Sequence, residues 1–533
     1  MTIRRRTFLK QVGYGAAACG VASSLPVCLP VEAAMHHHNL PRSSPDAQGV
    51  ASAEILAFLE AVGKSRHEFH SLMMLRRGHV IAEGWWAPYR PRANHMLYSL
   101  SKSFTSTAVG FAVTEGRLTV DDKVVHFFPD DLPGTVSDHL AAMRVRDLLT
   151  MSVGHAKDTT PLIRKEDNWV RAFLALPIEN PPGSTFLYNS GATYMLSAIV
   201  QKLTGQKLTD YLAPRLFEPV GIRDMTWETC PRGINTGGWG LSLQTEYLAK
   251  FGQFYLQKGV WNGRQILPQA WIEEATTFKI QQPAAAGQDL EKLKQTSEWH
   301  QGYCYQFWRC RHDVYRGDGA MGQYTIVMPH QEAVIVITSE TDSMQGEMDL
   351  VWQYLLPAIK EQPLPADAHS EAQLKQKLAS LALPLPQGQP TSPVTGNISG
   401  NTFKIEPNDA GVQSVSLHFR RQACTFTLTD AKGSHSIKCG LEKWVDGETD
   451  MPGTPPKLTT GSLGPESKIA AGAAWKDDQT VEMTWRFFET PHHDTVTCHF
   501  DGDKVNVEFM NSITQKSPGH PETRPVLRGQ LTA

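Results

Sequence analysis

The apolar residues of this chain change period along its length, and that change limits the folds open to it. From residue 44 to about residue 276 they recur at helical spacing. The stretches 44–62, 99–115, "RVRDLLTMSVGH", "NWVRAFLALPI", "TFLYNSGATYMLSAIVQKLTG", "TEYLAKFGQFYLQKG" and "PQAWIEEATT" read as helices, with Ser52 as a cap and stops at Gly116, Gly154, Gly205 and Gly259. One hairpin interrupts them, "SLMMLRRGHVIAEGWW", turning at Arg77-Gly78. The alternating "GYCYQFWRC", the glycine-broken "DVYRGDGAMGQYTIVMP" and the apolar "AVIVITS" then read as strands, and "DLVWQYLLPAIK" as a closing helix. This order predicts an α+β domain over 40–361, an antiparallel sheet flanked by helices. Residues 362–394 form a Pro-rich linker enclosing a short helix. From 395 to 533 short alternating strands and tight turns predict a small all-β barrel or sandwich.

Two domains suit a chain of 533 residues, too long for one simple core. A net charge of -3 leaves no basic excess to neutralise phosphates, so neither nucleic acid nor an anionic membrane is an expected partner. The amino terminus carries Arg5-Arg6-Thr7-Phe8-Leu9-Lys10, a weakly apolar stretch and a small-residue site near Ala33-Ala34. Residues 1–34 therefore read as a twin-arginine (Tat) export signal, placing the mature chain in the periplasm or outside the cell with no integral membrane segment. His36-His37-His38 beside it reads as incidental, and no metal or cofactor is expected. Eight cysteines occur without a CxxC pair. Cys424 and Cys439 flank a turn at 430–433, so a disulfide between them is open, with Cys498 as a competing partner.

The chemistry lies in "YSLSKSF". Ser99 and Lys102 are three residues apart and share a face if the helix begins at Ser99. Ser99 then sits at a helix amino terminus, where its own N–H can face a developing oxyanion. A desolvated Lys102 can lose its charge and accept the serine proton. Phe104, Ala108, Phe111 and Ala112 recur at helical spacing and would bury this helix. An SxxK pattern alone is common in long chains and equally fits a capped surface helix with a solvated lysine.

The surrounding segments single it out. "YSLSKSFTSTAVGFAVTEGRLTVDDKV", "VRDLLTMSVGH", "GSTFLYNSGATYMLSAIVQKLTG" and "GGWGLSLQTEYLAKFGQFYLQKGVWNGRQILP" occur in that order. Together they resemble the class C β-lactamase-like serine hydrolases, the penicillin-recognising superfamily that includes esterases and D-peptidases. The resemblance covers about residues 45–360. It implies the β-lactamase/transpeptidase-like fold and a nucleophile with three motif elements. The second element matches at Tyr188-Asn189-Ser190, with Tyr188 as a proton shuttle whose pKa Lys102 lowers, and Ser190 where asparagine is common.

The third element departs from the family's basic K-T-G or H-x-G strand. Two registers fit, Gly317-Asp318-Gly319 and Ala320-Met321-Gly322, offering the N–H of Ala320 or of Gln323 as the second oxyanion donor. Neither has a basic residue, and Asp318 would repel a substrate carboxylate unless Arg316 or His312 compensates. The resemblance thus implies an acyl-enzyme on Ser99 formed from a small ester, amide or peptide-like substrate, with β-lactam or D-alanyl-D-alanine chemistry as the alternative and a non-catalytic ligand-binding protein a more distant one. Trp85, Trp86, Tyr98, Tyr305, Trp308 and Tyr324 are expected mostly in the core, and "GGWG" at 237–240 as a turn near the site.

Overall fold

Strand residues that are apolar on consecutive positions must have covered faces on both sides, and "SLMML" and "AVIVI" are of that kind. In a computed structural model, which describes residues 39–453, 463–464, 466–516, 519 and 521–532, they form the middle of a sheet. Its strands are β1 (Glu68–Arg76), β2 (His79–Trp85), β3 (Trp308–Arg309), β4 (Tyr315–Gly319), β5 (Gln323–Met328) and β6 (Ala333–Glu340), in the order β2-β1-β6-β5-β4-β3, every pair antiparallel. Leu72, Met74, Ile335 and Ile337 point into one core and Met73, Leu75, Val334 and Val336 into another, as the two-residue period of a strand demands. The twin-arginine stretch and the three histidines lie outside the described residues.

Helices cover both faces. On one lies α1 (Ser52–Lys64). Ser52 is its first helical residue rather than its cap; its hydroxyl bonds the buried Asp46 carboxylate at 2.6 Å. On the other lie α2 (Ser101–Thr114), α3 (Ser190–Thr204) and α4 (Thr245–Leu256). Gly205 caps α3 with φ 71°, as expected, whereas the helix expected to stop at Gly154 spans only Val145–Leu149. The Pro-rich stretch holds α5 (Ala368–Ala379), which packs on α1 and β2 and sends Leu374, Leu381 and Leu383 into the same core as α1. It is a docked strap rather than a free tether.

The carboxy-terminal strands close into a barrel, which decides between the two expected all-β forms. The strands are β7 (Thr402–Ile405), β8 (Ser414–Arg420), β9 (Ala423–Asp430), β10 (Gly433–Gly440), β11 (Val445–Thr449), β12 (Ser467–Trp475), β13 (Thr480–Arg486), β14 (His493–Asp501), β15 (Lys504–Asn511) and β16 (Leu527–Leu531). They run β10-β9-β8-β7-β16-β15-β14-β13-β12-β11, and a parallel bridge between Gly440 and Gly472 joins β10 to β12 and shuts the ring. Strand β12, "SKIAAGAAW", carries no β-branched alternation, and its register is set by neighbours on both sides. Cys424 and Cys439 do face each other across the β9–β10 hairpin, yet both are buried free thiols, as is Cys498.

No described helix is long and apolar enough to cross a membrane. Within the helical core the ring of Phe104 is fully buried and stacks on Phe251 with centroids 3.8 Å apart. Phe104→Ala should therefore cost about 3–5 kcal/mol, read as a fall in the denaturation midpoint; a loss below about 1 kcal/mol, typical of a surface site, would contradict this packing.

Candidate active site

The segment that carries the candidate nucleophile Ser99 is built from a strained turn. Tyr98 adopts φ 50°, a left-handed conformation that is costly for an aromatic residue. A single 3-10 turn, Tyr98–Leu100, then leads directly into α2, so Ser99 stands just ahead of the α-helix rather than at its first residue. Phe104, Ala108, Phe111 and Ala112 are buried as the spacing predicts, but so is every other residue from Ser101 to Ala112. A helix buried all round needs partners for its hydroxyls. Ser101 donates to the Tyr98 carbonyl at 2.7 Å and accepts from the Leu241 N–H at 3.1 Å. Ser103 donates to the Gln306 carbonyl at 2.9 Å, and Thr105 to the Gly237 carbonyl at 2.8 Å. Ser101, Ser103 and Thr105 are therefore core polar contacts, while the Ser106 hydroxyl is buried without a hydrogen-bond partner.

Lys102 lies at the centre. Its ammonium nitrogen donates to Ser99 Oγ at 2.9 Å, to Ser190 Oγ at 2.9 Å and to the Gly238 carbonyl at 2.6 Å. Burial disfavours its charged form and lowers its pKa to about 7, against the opposing pull of Asp158 and Asp318. A lysine in this state exchanges its proton near neutral pH.

Tyr188 packs its ring 4.8 Å from the Lys102 nitrogen and stacks on Trp308 with centroids 5.5 Å apart. Burial raises its phenol well above the usual range, with Ser99 hydrogen bonding acting the other way. The expected lowering by Lys102 is thus overturned: desolvation dominates, and the phenol is held protonated. Asn189 caps α3, accepting from the Gly191 N–H at 3.0 Å and from Thr159 Oγ1 at 2.8 Å. That cap delivers Ser190 to Lys102.

The third element shows which glycines approach the turn that carries Ser99. A methyl group on Gly317 would touch Ser103 and Leu100 at 3.1 and 3.2 Å, and one on Gly319 would overlap the Leu97 carbonyl. Ala320 follows at the turn. Gly322, with φ 94°, instead faces Ser339 and Glu347, and Gln323 is fully buried with its amide bonded to the carbonyls of Ala320 and Ser339 at 3.1 and 2.7 Å. The structure therefore sets Gly317-Asp318-Gly319 beside Ser99, and turns Gly322 and Gln323 away.

Asp318 does not stand as a bare carboxylate. Arg316, two residues earlier in the same strand and fully buried, bonds it through Nε at 2.8 Å. Burial raises the Asp318 carboxyl, and the guanidinium acts against that rise. Arg316 is committed further to the Glu298 carbonyl at 3.1 Å and lies over the Trp299 ring at 4.6 Å. His312 sits in the exposed turn before β4, edge-on to Trp352. Of the expected aromatic group, Trp308 reaches the site through Tyr188 and Tyr98 precedes the nucleophile, while Tyr324 and Trp86 belong to the opposite core.

Sequence reasoning did not single out two participants. The Gly238 carbonyl can reach Lys102 because a side chain at this glycine would press on the Ser190 carbonyl at 2.9 Å; the glycine cluster "GGWG" was the available signal. Exposed Asp158 accepts from the Ser190 N–H at 3.1 Å and acts on Lys102 through its charge. An aspartate in a loop gives no such sign in sequence.

The family model described as Beta-lactamase matches residues 61–358. The 6-aminohexanoate-dimer hydrolase of Paenarthrobacter ureafaciens is 27% identical over 290 residues, covering 50% of this chain and 71% of that protein. A protein of Escherichia coli (strain K12), provisionally named as a D-alanyl-D-alanine carboxypeptidase, is 26% identical over 153 residues, covering 26% of this chain and 35% of its own length. The chain thus spans about a third of that relative. Among solved structures, the octameric penicillin-binding protein homologue from Pyrococcus abyssi is 15% identical with a TM-score of 0.44, covering 90% of this chain and 99% of that one. With a match that runs over more than half of its length, this chain belongs to the Beta-lactamase family and is a serine hydrolase of that family.

Proposed function

We propose that the chain hydrolyses a small ester or amide through an acyl-enzyme on Ser99. The observation that carries this reading is the buried Lys102 amine, 2.9 Å from the Ser99 hydroxyl and with its pKa brought down to about 7. Neutral Lys102 takes the Ser99 proton as Oγ adds to the carbonyl carbon. The N–H groups of Ser99 and Ala320 hold the oxyanion. Tyr188, protonated, gives its proton to the leaving group and is re-protonated from Lys102. Water then cleaves the acyl-enzyme by the same route in reverse. Ser190 keeps Lys102 in place at 2.9 Å. An amide substrate is supported by relatives named for hydrolysis of a 6-aminohexanoate dimer and, provisionally, for D-alanyl-D-alanine carboxypeptidase action.

β-Lactams fit this site less well. The strand beside Ser99 offers Gly317, Asp318 and Gly319 in place of a basic residue; Arg316 is fully buried against Asp318, and Lys102 is held by Ser99, Ser190 and Gly238. A substrate carboxylate gains no free positive charge there. The twin-arginine pattern at Arg5-Arg6 supports export to the periplasm or beyond.

Three measurements test this reading. A fluorophosphonate reagent should label the full chain at Ser99, and Ser99→Ala should abolish labelling; an equally labelled variant would reject the nucleophile. The rate constant kcat/KM should rise with pH through about 7 and level off above it, because only unprotonated Lys102 acts as base. Asp158 raises the Lys102 pKa, so Asp158→Asn should move this acid limb to lower pH; a shift upward would reverse the assignment. Finally, p-nitrophenyl esters should be turned over faster than nitrocefin, and the opposite order would refute the reading of Asp318 and Arg316.

A further inference from the structure

The barrel reaches the residue that precedes the nucleophile. Loop 487–492, between β13 and β14, presents the Glu489 carbonyl to the Met96 N–H at 2.8 Å and the Thr490 carbonyl to the Tyr89 hydroxyl at 3.1 Å. At its end His492 is fully buried. One ring nitrogen, Nδ1, bonds Glu340 Oε1 at 2.7 Å, and the other, Nε2, bonds the Tyr98 hydroxyl. With the proton on Nδ1 directed at the carboxylate, Nε2 accepts from the Tyr98 O–H. Tyr98 is the left-handed residue joined directly to Ser99. The chain of contacts thus runs from a carboxylate of the hydrolase sheet, through a histidine of the barrel, back to the turn that aims Ser99.

The surroundings show that this histidine is held firmly. Glu340 also accepts from the Ser512 hydroxyl and from Lys516 at 3.4 Å, with His493 Nδ1 3.2 Å away, all from the barrel side. Its register partner Glu68 receives Arg486 through two bonds, at 2.7 and 3.2 Å. Two carboxylates side by side on adjacent strands would repel, and the barrel supplies Arg486 and Lys516 against them. Glu68, Glu340 and His493 bring donor atoms within 4.8 Å of one another, as a metal site would, but those two cations already balance both carboxylates.

We propose that His492 is a positioning residue for the Ser99 nucleophile, acting through the Tyr98 hydroxyl, so that the carboxy-terminal barrel is a working part of the hydrolase site. The inference rests on Ser99 being the nucleophile. A strained turn persists only where its surroundings hold it, and the Tyr98 side chain is anchored from the other domain. Without that anchor the turn can relax, and small misplacements of a nucleophile cost large factors in rate.

The test uses the full chain, a fluorophosphonate with the adduct located by mass spectrometry, and p-nitrophenyl acetate for kcat and KM. Tyr98→Phe removes one hydroxyl and leaves the fold; His492→Ala removes the anchor. Each should slow labelling at Ser99 and lower kcat by roughly tenfold or more, with KM changed by less than about twofold. The double variant should be no slower than the slower single, since both break one link. His492→Gln, whose amide oxygen can still accept from Tyr98, should recover part of the rate. Asp446→Ala, which cuts the exposed Arg90–Asp446 pair between the domains and leaves Arg90 on the Phe488 ring, should leave the rate unchanged. Wild-type labelling of Ser99 in folded Tyr98→Phe or His492→Ala would overturn the proposal, as would an equal loss in Asp446→Ala. Labelling that persists in Ser99→Ala would instead remove the nucleophile reading, and the proposal with it.

Discussion

A lysine shielded from solvent organises this molecule. Lys102 is almost fully buried, so its nitrogen must find oxygen partners, and it finds three on three separate segments: Ser99, Ser190 and Gly238. The 3-10 turn before α2, the amino terminus of α3 and the glycine turn at 237–240 all converge on one amine. Each is shaped for it. Tyr98 takes a left-handed backbone, Asn189 caps the helix, and Gly238 carries no side chain where one would strike Ser190. Desolvation is also the source of the chemistry, because the burial that demands these partners is what brings Lys102 close to neutral at neutral pH.

A second set of buried charges joins the two halves of the chain. Glu68 and Glu340 lie opposite each other on β1 and β6, and the barrel answers with the cations Arg486 and Lys516 and with a hydrogen bond from His492. Removing one side of such a junction leaves charges buried and uncompensated, which costs far more than the intact pairs contribute. The barrel, strap α5 and hydrolase sheet therefore form one body from Leu40 onward. The same junction ends on Tyr98, which places the domain contact one residue from the nucleophile.

Much of this was legible in the residues. The consecutive apolar positions of "SLMML" and "AVIVI" imply a sheet covered on both faces, and the helix stops at glycines imply the layers above it. Ser99, Lys102, Tyr188 and Ser190 could be named from motif order. Other features were not legible, each for a physical reason. Strand β12 is rich in alanine and glycine, and its register depends on β11 and β13. Spacing left two registers open for the third motif element, since both end in glycine; only the approach of Leu97 and Leu100 separates them. Asp318 read as a negative charge that Arg316 or His312 could offset; alternation puts Arg316, two residues away, on the same face of the strand, and only the fold shows that Arg316 bonds the carboxylate while His312 stays in the exposed turn. Tyr188 was expected with a lowered pKa from its neighbour's charge, but the depth of burial outweighs that neighbour.

The sequence by itself determined the alternation of periods and the order of elements, and motif order singled out Ser99 and Lys102 as the candidate nucleophile and base, because these follow from local spacing and from residue chemistry. Tertiary structure decided what local spacing cannot encode. It decided that the all-β half closes into a barrel through Gly440 and Gly472, that the Pro-rich stretch docks rather than swings, and that His492 stands behind Tyr98 nearly four hundred residues away in the chain. Those outcomes depend on which buried polar groups meet at a distance, and burial is a property of the folded whole.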